Sequence, residues 1–195
     1  MNKLFFSGLC LLPLLAGCLS LPGSGNDPIV RYGLQAPDLS CSTGRGTLGL
    51  SIAKLGSGLD TDRVARRNAD SGEITYLKGV RWVDRVGVML EQRLAADLEC
   101  LGHTVITSHH SKLNHDNLVC EVRALNLVVD GDNDMAEVGL SCVLFVAAGD
   151  GDINIQSRHS GPMHNWSASS ATAAIASSYQ QVLQELATRL EPQPL

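Results

Sequence analysis

The sequence predicts an α+β fold: a mostly antiparallel sheet with two long amphipathic helices packed on one face. Three observations carry this. Two stretches repeat apolar residues at helical spacing, the segments around them alternate with period 2, and two Asp/Gly-rich turns divide the longest alternating region into consecutive strands.

The first residues, MNKLFFSGLCLLPLLAGC, read as export machinery and not as fold. Lys3 gives a basic start, residues 4–15 are apolar, and the small Ala16 and Gly17 precede Cys18. That run is shorter than the ~20 residues a spanning helix needs, and no later stretch reaches such a length. Leu15-Ala16-Gly17-Cys18 resembles the bacterial lipobox. Ala16 and Gly17 let an extended backbone enter a peptidase, and the Cys18 thiol accepts diacylglycerol before becoming the mature N-terminus. An ordinary signal peptide with an incidental Cys18 is the other reading. Three acyl chains would hold the protein firmly to a membrane, since each buried methylene contributes ~0.8 kcal/mol and one chain alone is marginal. Lipoproteins retained at the inner membrane carry Asp after the lipidated Cys. Leu19 and Ser20 stand here, so the resemblance implies the outer membrane and its periplasmic face. The chain therefore divides into a signal peptide (1–17), a Pro/Gly/Ser-rich tether (18–27) and one domain (28–191).

Within the domain, residues 29–34 and 47–55 read as strands, the second placing Leu48, Leu50 and Ile52 on one face. Residues 63–67 and 73–77 flank the turn-forming Asn68-Ala69-Asp70-Ser71-Gly72, a hairpin signal. From Val83 to Leu101 apolar residues fall at 83, 86, 90, 94, 98 and 101, a helical stripe that Gly102 is placed to end. Residues 103–107 form a short strand and 108–117 a polar loop. Residues 118–129 and 137–148, joined by Asp130-Gly131-Asp132-Asn133-Asp134, and 153–166, after Gly149-Asp150-Gly151-Asp152, form an antiparallel meander. The last helix spans 167–190, with Ala171, Ile175, Tyr179, Val182 and Leu186 along one side, Ser167 or Ser169 as cap and Pro192 as stop.

Composition bounds the function. Fifteen Lys and Arg against twenty Asp and Glu give a net charge of -5, and removal of the leader with its single Lys leaves -6. Only 4% of residues are aromatic, and Phe5 and Phe6 lie in the leader. With so few stacking rings and so little positive charge, no nucleic-acid partner is expected.

Four cysteines remain after Cys10 and Cys18 are set aside: Cys41, Cys100, Cys120 and Cys142. An exported domain permits disulfides. In a hairpin centred near Gly131, positions whose numbers sum to about 262 face each other, which sets Cys120 opposite Cys142. They form either a cross-strand bridge or two buried thiols. Cys41 with Cys100 is the weaker pairing. No C-x-x-C occurs, so redox catalysis and zinc ribbons lack support.

His103, His109, His110, His115, His159 and His164, with Asp116 beside His115, show no metal-ligand spacing. The 130–134 run opens like a calcium loop but has Met135 and Ser141 where an EF-hand requires Gly and Glu. Leu55-Gly56-Ser57-Gly58-Leu59 lacks the first Gly of a nucleophile elbow, and Gly44-Arg45-Gly46 lacks the rest of a phosphate loop. No catalytic residue, metal or cofactor is expected.

The run 58–65 (GLDTDRVA), then Glu73-Ile74-Thr75-Tyr76 and Arg81-Trp82-Val83-Asp84, resembles the ABC-type transport auxiliary lipoproteins, the PqiC-like family. The lipobox, Leu50, Leu59-Asp60, Arg63-Val64, Tyr76, Arg81-Trp82 and a helix ending Leu94-Ala95-Ala96-Asp97-Leu98 follow in the family's order, over about residues 29–190. Gly79-Val80 and the four cysteines depart from its pattern. The resemblance implies a non-catalytic, outer-membrane lipoprotein that docks an MCE-domain lipid carrier. A homo-oligomer is expected from membrane confinement, because cyclic contacts close while every anchor points the same way. Tyr76 and Trp82 are either core anchors or the border of a partner surface. The competing readings are a periplasmic hydrolase using His109, His110 or His115, metal-dependent, and an envelope-binding lipoprotein with another partner.

Overall fold

A computed structural model describes residues 28–107, 115–131, 133–147 and 151–191. In chain order the elements are β1 (Val30–Tyr32), β2 (Gly46–Leu55), β3 (Arg63–Asn68), β4 (Ile74–Trp82), α1 (Val86–Cys100), β5 (His103–Thr107), β6 (Asp116–Val129), β7 (Met135–Phe145), β8 (Ile153–Pro162) and α2 (Ala168–Arg189). No helix among the described residues is long and apolar enough to cross a membrane.

The strands form one eight-stranded mixed sheet in the order β1-β4-β3-β6-β2-β5, with β7 on the other edge of β6 and β8 beyond it. The expectation of a mostly antiparallel sheet is corrected. Among the described residues four strand pairings are parallel, β1 with β4, β2 with β5, β2 with β6 and β3 with β6, against three antiparallel ones. Turn signals reveal only pairings between sequence neighbours, whereas every parallel pairing here joins strands separated by other elements. The meander itself is β6-β7-β8.

β2 and β3 share one edge of β6. β2 runs along residues 116–122 and β3 along 126–129, in the same direction. The intervening loop is tied down by the Gly56 N–H, which donates to the Val122 carbonyl at 2.7 Å.

Several boundaries differ from the sequence pattern, β1 being shorter and β6 and β7 starting two residues earlier, and three of the shifts have a local cause. β4 continues to Trp82 because Gly79, at φ 70°, forms an irregularity that lets the strand resume after the alternation breaks. α1 starts at Val86, since Val83 and Asp84 are spent on the entry, where the Asp84 Oδ1 accepts the Arg85 N–H at 2.7 Å. β8 stops at Pro162, and the chain then turns so that Ser167 caps α2, its side chain accepting the Ser170 N–H at 3.1 Å. Gly102, at φ 99°, ends the α1 turn.

Both helices cover the same face. Val86, Met89, Leu90, Leu94 and Leu98 of α1 are buried over β2 and β5, and Ala171, Ile175, Tyr179, Val182, Leu183 and Leu186 of α2 over β7 and β8, where Ala136, Val138, Leu140, Cys142 and Leu144 are the inward positions of β7. Between the helices lies a buried polar cluster. The Tyr179 hydroxyl donates to Asp97 Oδ2 at 2.7 Å, and Arg93 grips the same carboxylate through Nε at 3.0 Å and through Nη2.

Candidate functional site

With the helices on one side, the opposite face of the sheet is left for polar side chains. Register defines it. Tyr76, Ala65, Asn126, Glu137 and Ser160 form one lateral row, and Ala124, Gly139 and Arg158 form the next. At its centre the Glu137 side chain is only 7% exposed, a position where a carboxylate requires compensation. Arg67 donates to its Oε2 at 3.2 Å, and Arg158 donates to its Oε1 from Nε at 2.7 Å. Above this pair lies a cavity of about 210 Å³ bordered by Leu59, Ile74, Asn126 and Arg123. A larger groove of about 470 Å³ adjoins it over Gly139, Ser141 and Gln156, with Arg123 and Arg158 on its rim.

Tyr76 and Trp82 part company. Tyr76 is half-buried at the margin of this face, its hydroxyl donating to the Gly58 carbonyl at 3.2 Å and its ring covered by the Arg63 guanidinium at 4.1 Å. Trp82 lies wholly inside the core, where its indole N–H has no hydrogen-bond partner. The Gly79 irregularity separates them, turning the two ends of β4 to opposite faces.

The segments that carry the family resemblance meet in space. Arg81 pairs with Asp62 at 2.6 Å, and the Trp82 N–H donates to the Asp62 carbonyl at 2.7 Å. The Val86 N–H reaches the Thr61 carbonyl at 3.0 Å, and Arg85 pairs with Asp60 at 2.7 Å. Residues 58–65 thus clamp the end of β4 and the start of α1.

Cys120 and Cys142 are register partners joined by a disulfide, with Cα atoms 4.0 Å apart. Cys41 and Cys100 form a second disulfide, with Cα atoms 4.4 Å apart. It fixes the segment before β2 to the end of α1, where the Ser42 N–H also donates to the Cys100 carbonyl at 2.7 Å. Cys18 and its lipobox, like His109 and His110, lie outside the described residues.

Among the described residues no three His, Cys, Asp or Glu side chains converge as a metal group. The carboxylate of Asp116 is engaged by the Ala147 N–H at 2.9 Å. Burial foremost, and then the charge of Arg45, hold His103 below the ordinary imidazole range, so it stays neutral at pH 7. In the 130–134 turn the Asn133 N–H donates to the Asp130 carbonyl at 2.8 Å, a local turn contact.

Arg67, Arg123, Glu137 and Arg158 were not singled out by sequence. Each occupies an ordinary polar position of an alternating strand, and only the pairing of β3, β6, β7 and β8 gathers them.

No protein-family model matches the chain, and no curated protein matches it. Solved structures share its fold. A Xanthomonas campestris protein assigned to the family DUF330 is similar with a TM-score of 0.66 and 17% identity, over 80% of this chain and 92% of that one. An uncharacterised protein gives 0.67 and 14%, over 83% and 97%. A hypothetical protein of Chlamydia trachomatis gives 0.51 and 8%, over 75% and 96%. The fold class is therefore that of the DUF330 protein: one mixed sheet with two helices on a single face.

Proposed function

We propose that this chain is a lipid-anchored protein of the outer membrane and a non-catalytic auxiliary component of an MCE/ABC-type intermembrane lipid transport system. It docks the periplasm-spanning carrier at the membrane and works as a homo-oligomer. The observation that carries this reading is the packing of the family-like segments onto one another, Asp62 on Arg81, Thr61 on the start of α1 and Gly58 on Tyr76. A motif assembled from separated stretches of chain is a structural unit, which supports the resemblance more than its scattered letters do. The shared DUF330 fold and the lipobox at Leu15-Ala16-Gly17-Cys18 agree with it. An anchored docking part gains from confinement, because a partner on the same surface meets it at a raised effective concentration.

The anchor is tested by Cys18→Ser. The diacylglyceryl group on the thiol is what the lipoprotein peptidase recognises, so the variant is expected to remain an uncleaved, unlabelled precursor in the inner membrane. Acyl labelling and membrane fractionation read the result. Normal labelling with outer-membrane fractionation in the variant would overturn the lipoprotein assignment.

A further inference from the structure

We propose that the β1 edge of the sheet rests on the phospholipid surface to which the chain is anchored, with Ile29, Val30 and Val83 set among the lipid headgroups; this rests on the lipid-anchor reading of Cys18. Among the described residues seven large apolar side chains are exposed, and these three lie around one three-residue strand. Ile29 and Val30, 55% and 46% exposed, stand at the start of β1. Val83, 53% exposed, stands at its end, where its N–H donates to the Tyr32 carbonyl at 2.9 Å and its Cγ2 lies 4.0 Å from the Cβ position of Gly33. Arg31, between them, reaches back to the Trp82 carbonyl at 3.4 Å and to Asp62 at 3.7 Å. Apolar side chains gathered in water mark a surface that meets another molecule or a membrane.

Where the chain arrives decides which. Ten residues lead from Cys18 to Pro28, ~35 Å at full stretch, and β1 begins two residues later. β1 is the outermost strand at its end of the sheet, pairing only with β4 among the described residues, while β7 and β8 lie at the far end. The edge that carries the apolar residues is therefore the edge nearest the acylated cysteine. Charge points the same way. Residues 28–85, which include β1, β3 and β4, hold nine Lys and Arg against six Asp and Glu, whereas residues 86–191 hold five against thirteen. Strands β1, β3 and β4 themselves contain no carboxylate, and Arg31 and Arg81 share the single carboxylate of Asp62. An anionic phospholipid surface attracts the first part of the domain and repels the second. Three side chains make a weak contact alone; the anchor makes it effective by holding this edge at a high local concentration against the lipid. In that orientation β7, β8 and α2 point away from the membrane, toward an arriving carrier.

The test places a photoreactive benzophenone side chain at position 30 or 83 of the full acylated chain, and in control proteins at 145 or 166, where Phe145 and Trp166 are exposed to a similar extent. The proteins are reconstituted in vesicles of phosphatidylethanolamine and phosphatidylglycerol, irradiated and analysed by mass spectrometry. Phospholipid adducts are expected at 30 and 83, about tenfold above those at 145 and 166. Ile29→Ser with Val83→Ser, both on exposed side chains, should bring the yield at position 30 down to the control level with folding intact. Equal phospholipid labelling at the four positions, or none at 30 and 83, would overturn the proposal. An adduct with polypeptide at 83 would assign the edge to a second copy of the chain and overturn it as well. Acylation of Cys18 is read from the intact mass of the same sample. An unacylated chain would remove the lipoprotein reading and this inference with it, whereas an acylated chain without adducts at 30 and 83 would remove this inference alone.

Discussion

Asp97→Ala is expected to destabilise the protein by about 3–5 kcal/mol, because it leaves a partly buried guanidinium and a buried phenol without their shared acceptor. Asp97 is 1% exposed and sits where α1 meets α2. Arg93 comes from its own helix one turn away, and Tyr179 reaches it from the other helix. Burial foremost, and then the adjacent Asp97 carboxylate, push the Tyr179 phenol well above its usual range, so it remains a hydrogen-bond donor throughout physiological pH. Tyr179→Phe removes one bond and leaves Arg93 on the carboxylate, so its expected cost is about 1–3 kcal/mol. Urea denaturation of the three proteins measures both. A loss under about 1 kcal/mol for Asp97→Ala would show that the cluster contributes nothing net to helix packing.

The two disulfides are expected to contribute unequally, in proportion to the logarithm of the loop each closes. Cys41 and Cys100 are separated by 59 residues and Cys120 and Cys142 by 22. Loop entropy then gives about 4 kcal/mol for the first and about 3 kcal/mol for the second. The ordering has a local reason as well. β6 and β7 are held along their whole length by a hydrogen-bonded ladder, whereas the segment from Gly33 to Arg45 has no regular structure of its own and is held by its bridge, the buried Leu34 and a few contacts of Ser42 and Arg45. Paired Cys→Ala variants, compared by their denaturation midpoints, measure this. A larger loss from the Cys120–Cys142 pair would contradict it.

What was legible in the sequence was whatever short-range pattern encodes. The spacing of Leu90, Leu94 and Leu98 defined α1, and the spacing of Ile175, Tyr179, Val182 and Leu186 defined α2. The turn around Gly131 punctuated β6 and β7, and alternation on both strands set Cys120 and Cys142 at inward positions that the register makes adjacent. Long-range partners left no such mark. Nothing local says that β6 offers one edge to both β2 and β3, or that Cys41, in an aperiodic stretch, lies beside Cys100. The open-face cluster was hidden for the same reason: Arg67 and Glu137 are 70 residues apart, and each looks like a solvated strand position until the sheet closes around them. Tyr76 and Trp82 differ in their surroundings because of one glycine, Gly79, whose left-handed backbone resets the strand between them.

The proposed docking role is tested most directly by affinity capture of the native protein from envelope membranes, followed by mass spectrometry and by light scattering of the recovered complex. A chain that anchors a lipid carrier is expected to bring down an MCE-domain protein, to run as a multimer of itself, and to lose the carrier when Cys18 is replaced and the anchor is gone. Recovery of a strictly monomeric lipoprotein with no MCE component, or hydrolysis by the purified protein that depends on a metal ion, would contradict it.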